Sequence, residues 1–168
     1  MTTTTTLGRL GRLYNTACDL LGGLNSVAPL LGRIVIAAIF IPSGWGKLHS
    51  LPDVINFFTT LGIPFPEYQA PFVATVELVG GALVLLGLGT RAAALLLLST
   101  MVVALATAIW PDVEGVADFF AKDETVYSAI LAQLIIVGAG AFSLDHLLTR
   151  VVSAESEPVA VARGAVHG

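Results

Sequence analysis

Four stretches of this chain, residues 30–49, 71–88, 92–110 and 127–144, are apolar over lengths that match a bilayer crossing. The hydrocarbon core is about 30 Å thick and a helix rises about 1.5 Å per residue, so about 20 apolar residues suffice to span it. Little but loops and tails remains outside these runs, which leaves no room for a soluble domain. Composition agrees: 55% of the 168 residues are hydrophobic and 12% are charged, against about 25% charged in ordinary soluble domains. The expected fold is all-α, an integral membrane four-helix bundle with an N-terminal amphipathic interfacial helix.

The first run, PLLGRIVIAAIFIPSGWGKLHS from Pro29 to Ser50, is not a plain anchor. It holds Arg33 near its start and Lys47 near its end, with Pro42, Ser43, Gly44 and Gly46 between them. A cation within hydrocarbon costs roughly 2.5 to 3.5 kcal/mol, so each needs a partner or a function. Pro42 removes a backbone hydrogen bond and predicts a kink near residues 38–42.

The remaining segments follow from composition. Residues 1–28 read as a disordered start followed by a surface helix, in which Leu10, Leu13, Ala17, Leu20, Leu21 and Leu24 alternate with Arg9, Arg12, Asn15 and Asp19. Residues 29–150 form the membrane domain. Between the first two spans, two helical turns are predicted over 53–61 and stop at Gly62, and Gly-Ile-Pro-Phe-Pro then reads as extended chain. The second span carries Glu77, followed by Gly80 and Gly81. Residues 151–168 have the composition of a disordered tail.

Charge asymmetry sets an expected orientation. Arg9, Arg12, Arg33, Arg91, Arg150 and Arg163 fall on one side, while the other two loops hold only Lys47 and Lys122 and carry Asp112, Glu114, Asp118, Asp123 and Glu124. The positive-inside rule then places both termini in the cytoplasm. The lone Cys18 excludes an intramolecular disulfide. No basic patch suits nucleic acid, and no His, Cys or carboxylate group has metal-ligand spacing.

Depth decides which polar residues can meet. Lys47 lies near the end of the first span and Glu77 six positions into the second, about 9 Å from the same boundary. A Lys47–Glu77 pair is expected, since an unpaired buried charge is the costlier state. Gln133 and Thr107 fall in the same half, with Tyr127, His49 and Trp110 near its mouth. Lys47, Glu77, Gln133, Gly44, His49 and Thr107 are thus the candidate ligand-binding set, with Glu77 and Lys47 the candidates for proton chemistry. Competing roles are an interfacial anchor for Lys47, an interhelical hydrogen bond for Gln133, and bonds back to their own helix for Ser99, Thr100 and Thr107. At the opposite boundary Arg33 and Asp145 are expected to form a structural ion pair.

Several of these residues together resemble a known family. An Arg near the start of the first helix, Gly44 and Lys47-Leu48 at its end, Leu61-Gly62-Ile63-Pro64, Glu77 with Gly80-Gly81 and Leu86-Gly87, and Ser143-Leu144-Asp145 are similar in order and spacing to the DoxX family. The resemblance runs over residues 31–148. It implies a four-helix protein of the bacterial inner membrane, related to subunits linked to thiosulfate:quinone oxidoreductase and to members of oxidative-stress complexes. It suggests quinone as the cofactor to test, and a soluble redox enzyme or a second copy of the chain as partners beside the lipid bilayer. Without a cysteine pair, a thiol relay does not fit.

Three functions are consistent with this reading. The first is a redox-associated membrane subunit whose polar pocket takes a quinone head group. The second is a non-catalytic scaffold that tethers soluble enzymes at the membrane. The third is a small transporter with Glu77 as its carrier site, although no inverted repeat is evident.

Overall fold

The computed structural model describes residues 27–140, 142–147 and 149; the predicted surface helix over 9–24 and the tail over 151–168 lie outside them. The described chain is helical, with α1 at Val27–His49, α2 at Leu51–Thr60, α3 at Pro66–Leu86, α4 at Thr90–Ala104, α5 at Val116–Ala121 and α6 at Asp123–Val137. A π-helical turn at Leu105–Ile109 and a 3-10 turn at Trp110–Asp112 extend α4. Three helices, Val27–His49, Pro66–Leu86 and Thr90–Asp112, are long and apolar enough to cross a membrane. The fold is therefore an all-α membrane bundle, as the apolar runs predict.

α1 places Pro29 in its first turn, where a missing N–H costs nothing. It then continues as one helix through Pro42. Arg33, Ile36, Ala37, Phe40 and Gly44 recur at three- and four-residue intervals and form its buried stripe. α2 follows after Ser50 and buries none of its residues fully, and Gly62 at φ 70° closes it.

α3 begins earlier than the sequence suggests. Pro66, rather than Pro71, opens it, and Pro71 sits inside at the position where it forfeits one bond to the Glu67 carbonyl. The preceding Phe65 is not extended but left-handed, at φ 53° and ψ 52°, and its carbonyl accepts the Tyr68 and Gln69 N–H groups, both at 3.1 Å. Glu77 consequently lies about 16 Å of helix rise from the start of α3, near its middle and deeper than expected. The helix ends in a Schellman turn: Gly87, at φ 70°, donates to the Val84 carbonyl and Leu88 to that of Leu83.

The fourth run is also shifted. Its helix starts at Asp123, where Asp123 and Glu124 complement the N-terminal dipole, and stops at Val137 rather than Leu144. Gly138 at φ 84° and Gly140 at φ 75° turn the chain out of the helix. At 15 residues α6 is about 22 Å long. It packs on α4 and α1, from Tyr127 edge-on to Phe40 at one end to Gly138 beside Arg91 at the other.

The core joins Ile36 and Phe40 of α1, Val84 of α3, Ala93, Ala94, Leu97 and Met101 of α4, and Leu131 and Leu134 of α6. Within a bilayer, lipid is as apolar as these side chains, so helices associate through close packing at small residues. Gly44 provides the tightest case, since a Cβ there would stand 2.4 Å from the Leu78 nitrogen and 2.7 Å from the Ala74 oxygen.

Candidate functional site

The close approach of α1 and α3 at Gly44 decides what happens one residue and one turn away. Ser43 and Lys47, four apart on α1, both face α3 and meet Glu77 there. Lys47 Nζ donates to Glu77 Oε1 at 2.5 Å, and Ser43 Oγ donates to Oε2 at 2.9 Å. Each carboxylate oxygen thus has its own donor. Glu77 is 1% exposed, whereas the Lys47 side chain keeps 30% of its surface accessible. An anion buried at mid-helix would be prohibitive alone; the two donors make it tenable.

This carboxylate grip forms part of the wall of a cavity of about 850 Å³ between α1, α2, α3, α4 and the start of α6. Phe40, Phe57, Phe58, Phe72 and Tyr127 give the cavity aromatic walls, and Thr100, Met101 and Thr107 line it from α4. The π-helical turn supplies Thr107, Ala108 and Ile109 to the same surface. Such turns inside α-helices recur at functional sites. A volume of this size, mostly apolar with a few converging polar groups, is what a small-molecule pocket requires.

The sequence candidates separate into two groups. Lys47, Glu77 and Thr107 line the cavity, with the Thr107 hydroxyl also donating to its own helix at the Val103 carbonyl. Gly44, Gln133 and His49 do not line it. Gly44 is the helix contact described above. Gln133 is exposed on the outer face of α6, because Leu131 and Leu134 take the inward positions and leave 133 turned away. His49 is exposed at the end of α1, where its Nδ1 donates to the Trp45 carbonyl at 2.8 Å and its ring lies over the Trp45 indole. Ser43 was not among the candidates. Its position four residues before Lys47 was the available signal.

Arg33 and Asp145 share one end of the bundle but do not pair directly. Arg33, 2% exposed, donates from Nε to the Val84 carbonyl, from Nη1 to those of Ala139 and Phe142, and from Nη2 to that of Leu85. It therefore serves carbonyls at the end of α3 and in the turn after α6, sharing that of Val84 with the Gly87 N–H. Asp145 instead accepts the Gly89 N–H at 2.9 Å and the Thr90 N–H at 3.4 Å, capping α4 from across the chain, while its own N–H donates to Gly87. Orphan backbone groups at helix ends were the stronger partners for both charges.

The DoxX profile matches residues 28–110, which takes in α1 through to the 3-10 turn after α4. Inner membrane protein YqjF of Escherichia coli K12 is 31% identical over 128 residues, covering 76% of this chain and 96% of its own length. The chain belongs to the DoxX family. The protein named "Putative oxidoreductase CatD" of Bacillus subtilis 168 is 31% identical over 121 residues, covering 71% of this chain and 85% of that one. Uncharacterized membrane protein Rv3486 of Mycobacterium tuberculosis H37Rv is 34% identical over 134 residues, covering 73% and 82%. No solved structure matches the chain. This DoxX protein is thus a bacterial membrane protein, and the matched region contains Ser43, Lys47, Glu77 and Thr107 but not Glu124 or Tyr127.

Proposed function

We propose that this DoxX protein is a redox-associated membrane subunit that holds a small uncharged carbonyl compound, of the quinone class, against the Lys47–Glu77 pair. One observation carries the reading: a nearly inaccessible carboxylate, held by Lys47 and Ser43, in the wall of an otherwise apolar cavity of about 850 Å³. The aromatic walls suit a flat ring system, and the accessible part of Lys47 can donate a hydrogen bond to a carbonyl oxygen. Glu77 sits beside that donor and can restore a proton to it or take one away, which is the arrangement that general acid–base work needs. The name "Putative oxidoreductase" borne by the relative CatD is in keeping with the redox reading.

Titration of the purified protein in lipid nanodiscs with an uncharged naphthoquinone provides the test. Binding is expected in the wild type, with affinity falling at least about tenfold in Glu77→Gln and in Lys47→Met, corresponding to the loss of one charge-assisted hydrogen bond of about 1.5 to 3 kcal/mol. Undiminished affinity in both variants sinks the pocket.

A further inference from the structure

The cavity wall contains residues that are both cavity-lining and exposed on the side of the bundle, and this says how a ligand arrives. α3 and α4 are joined by the Gly87–Gly89 turn and touch again where Leu97 packs 3.1 Å from the Cβ position of Gly80. Beyond that contact the cavity lies between them, lined by Gln69, Phe72 and Val73 on α3 and by Ser99, Thr100, Met101, Val103 and Ala104 on α4. Phe72 is 59% exposed and Val103 48% exposed, and Ser99 is exposed as well, although all three line the cavity.

Their depth excludes an ordinary aqueous mouth. Val103 lies about 14 Å of helix rise from Asp112, the last residue of the α4 extension, and Ser99 about 20 Å from it. Both positions fall well inside a hydrocarbon layer about 30 Å thick. The water-facing edge of the cavity, by contrast, carries Asp53 on α2 and Glu124 in the first turn of α6. Among the described residues neither carboxylate is in an ion pair. A negatively charged ligand coming from water would pass both.

Resting on the pocket reading above, we propose that the cavity loads sideways from the bilayer, through the gap between α3 and α4. Its ligand is then an uncharged molecule dissolved in the hydrocarbon, and Ser99 and Val103 form the α4 lip of the opening. The contact of Gly80 with Leu97 sets the floor of the gap.

Photolabelling of the full chain in liposomes with a bilayer-partitioning phenyldiazirine tests this without presuming the natural ligand. Phe40 and Met101, both buried on walls of the cavity, are expected to be labelled in the wild type. Val103→Trp and Ser99→Phe are each expected to cut that labelling several-fold, while the lipid-facing Leu95 and Leu96 remain labelled. Unlabelled walls in the wild type, or equal wall labelling in both variants and the wild type, overturn lateral loading. An uncharged naphthoquinone added before illumination separates the two proposals. Protection of Phe40 and Met101 supports both; the expected labelling pattern without protection leaves the side opening standing and removes the quinone assignment.

Discussion

Arg33 shows how a single buried cation can hold three segments of chain. Its guanidinium reaches the α3 carbonyls of Val84 and Leu85 and the post-α6 carbonyls of Ala139 and Phe142. A planar fork of donors suits this arrangement, and a point charge does not. Arg33→Met is expected to destabilise the bundle by on the order of 3 to 5 kcal/mol, because several buried carbonyls lose their donor at about 1 to 3 kcal/mol each. Arg33→Lys should recover only part of it. Thermal unfolding in a mild detergent reads both, and a lysine variant as stable as the wild type would refute the role of the fork. The sequence shows where Arg33 and Asp145 lie, at one end of the bundle, but carbonyls and amides at helix ends are not visible as letters. Charge matching alone therefore joined two residues that each answer a backbone terminus. Lys47 and Glu77 were legible for a different reason: Glu77 lies far from either end of its helix, where no free backbone group can satisfy it, and Lys47, in the last turn of α1, is the cation within reach.

At the scale of helices, the site depends on the seam between α1 and α3. Gly44 lets the backbones approach where a Cβ would stand 2.4 Å from the Leu78 nitrogen, whereas a Cβ at Gly46 would meet nothing within 4 Å. Gly44→Ala is expected to push the helices apart, cost about 1 to 3 kcal/mol as overpacking does, and draw Ser43 and Lys47 away from Glu77. Gly46→Ala should leave the unfolding temperature unchanged. Equal melting of the two variants would show that the seam is slack. Which helices exist was readable from apolar length, yet their rotation was not. α6 is apolar on nearly every side, so nothing in its composition said whether Gln133 faced in or out; the packing of Leu131 and Leu134 decided it. Helix ends slipped for similar reasons. Pro66 and Pro71 both suit a first turn, and Gly138 and Gly140 lie within a run whose hydropathy gives no sign of a break.

For the molecule as a whole, the two ends of the bundle differ in kind. One end gathers Arg33, Arg91 and the Asp145 cap into a tightly bonded knot, with Arg91 also donating to the Ile136 carbonyl. The other carries α2, α5 and the acidic residues Asp112, Glu114, Asp118, Asp123 and Glu124, against which Lys122 pairs with Asp118 at 3.2 Å. We propose that the knotted end faces the cytoplasm, as the positive-inside rule expects from the excess of arginine in the sequence segments on that side. A chain that enters α1 and leaves α6 at the same end must cross an even number of times, so α6, though short, would supply the fourth crossing. Reporter fusions examine this directly. Alkaline phosphatase, active only after export, is expected to be active when inserted at Gly115 and inactive when inserted at Gly89 or fused after Gly168, and green fluorescent protein fused after Gly168 should fluoresce. An active phosphatase after Gly168 together with an active insertion at Gly115 would mean three crossings, with α6 returning only part of the way into the bilayer. The Lys47–Glu77 cavity would keep its place in the outward half in either case, because Gly115 and the cavity's Glu124 lie on the same side of the bundle.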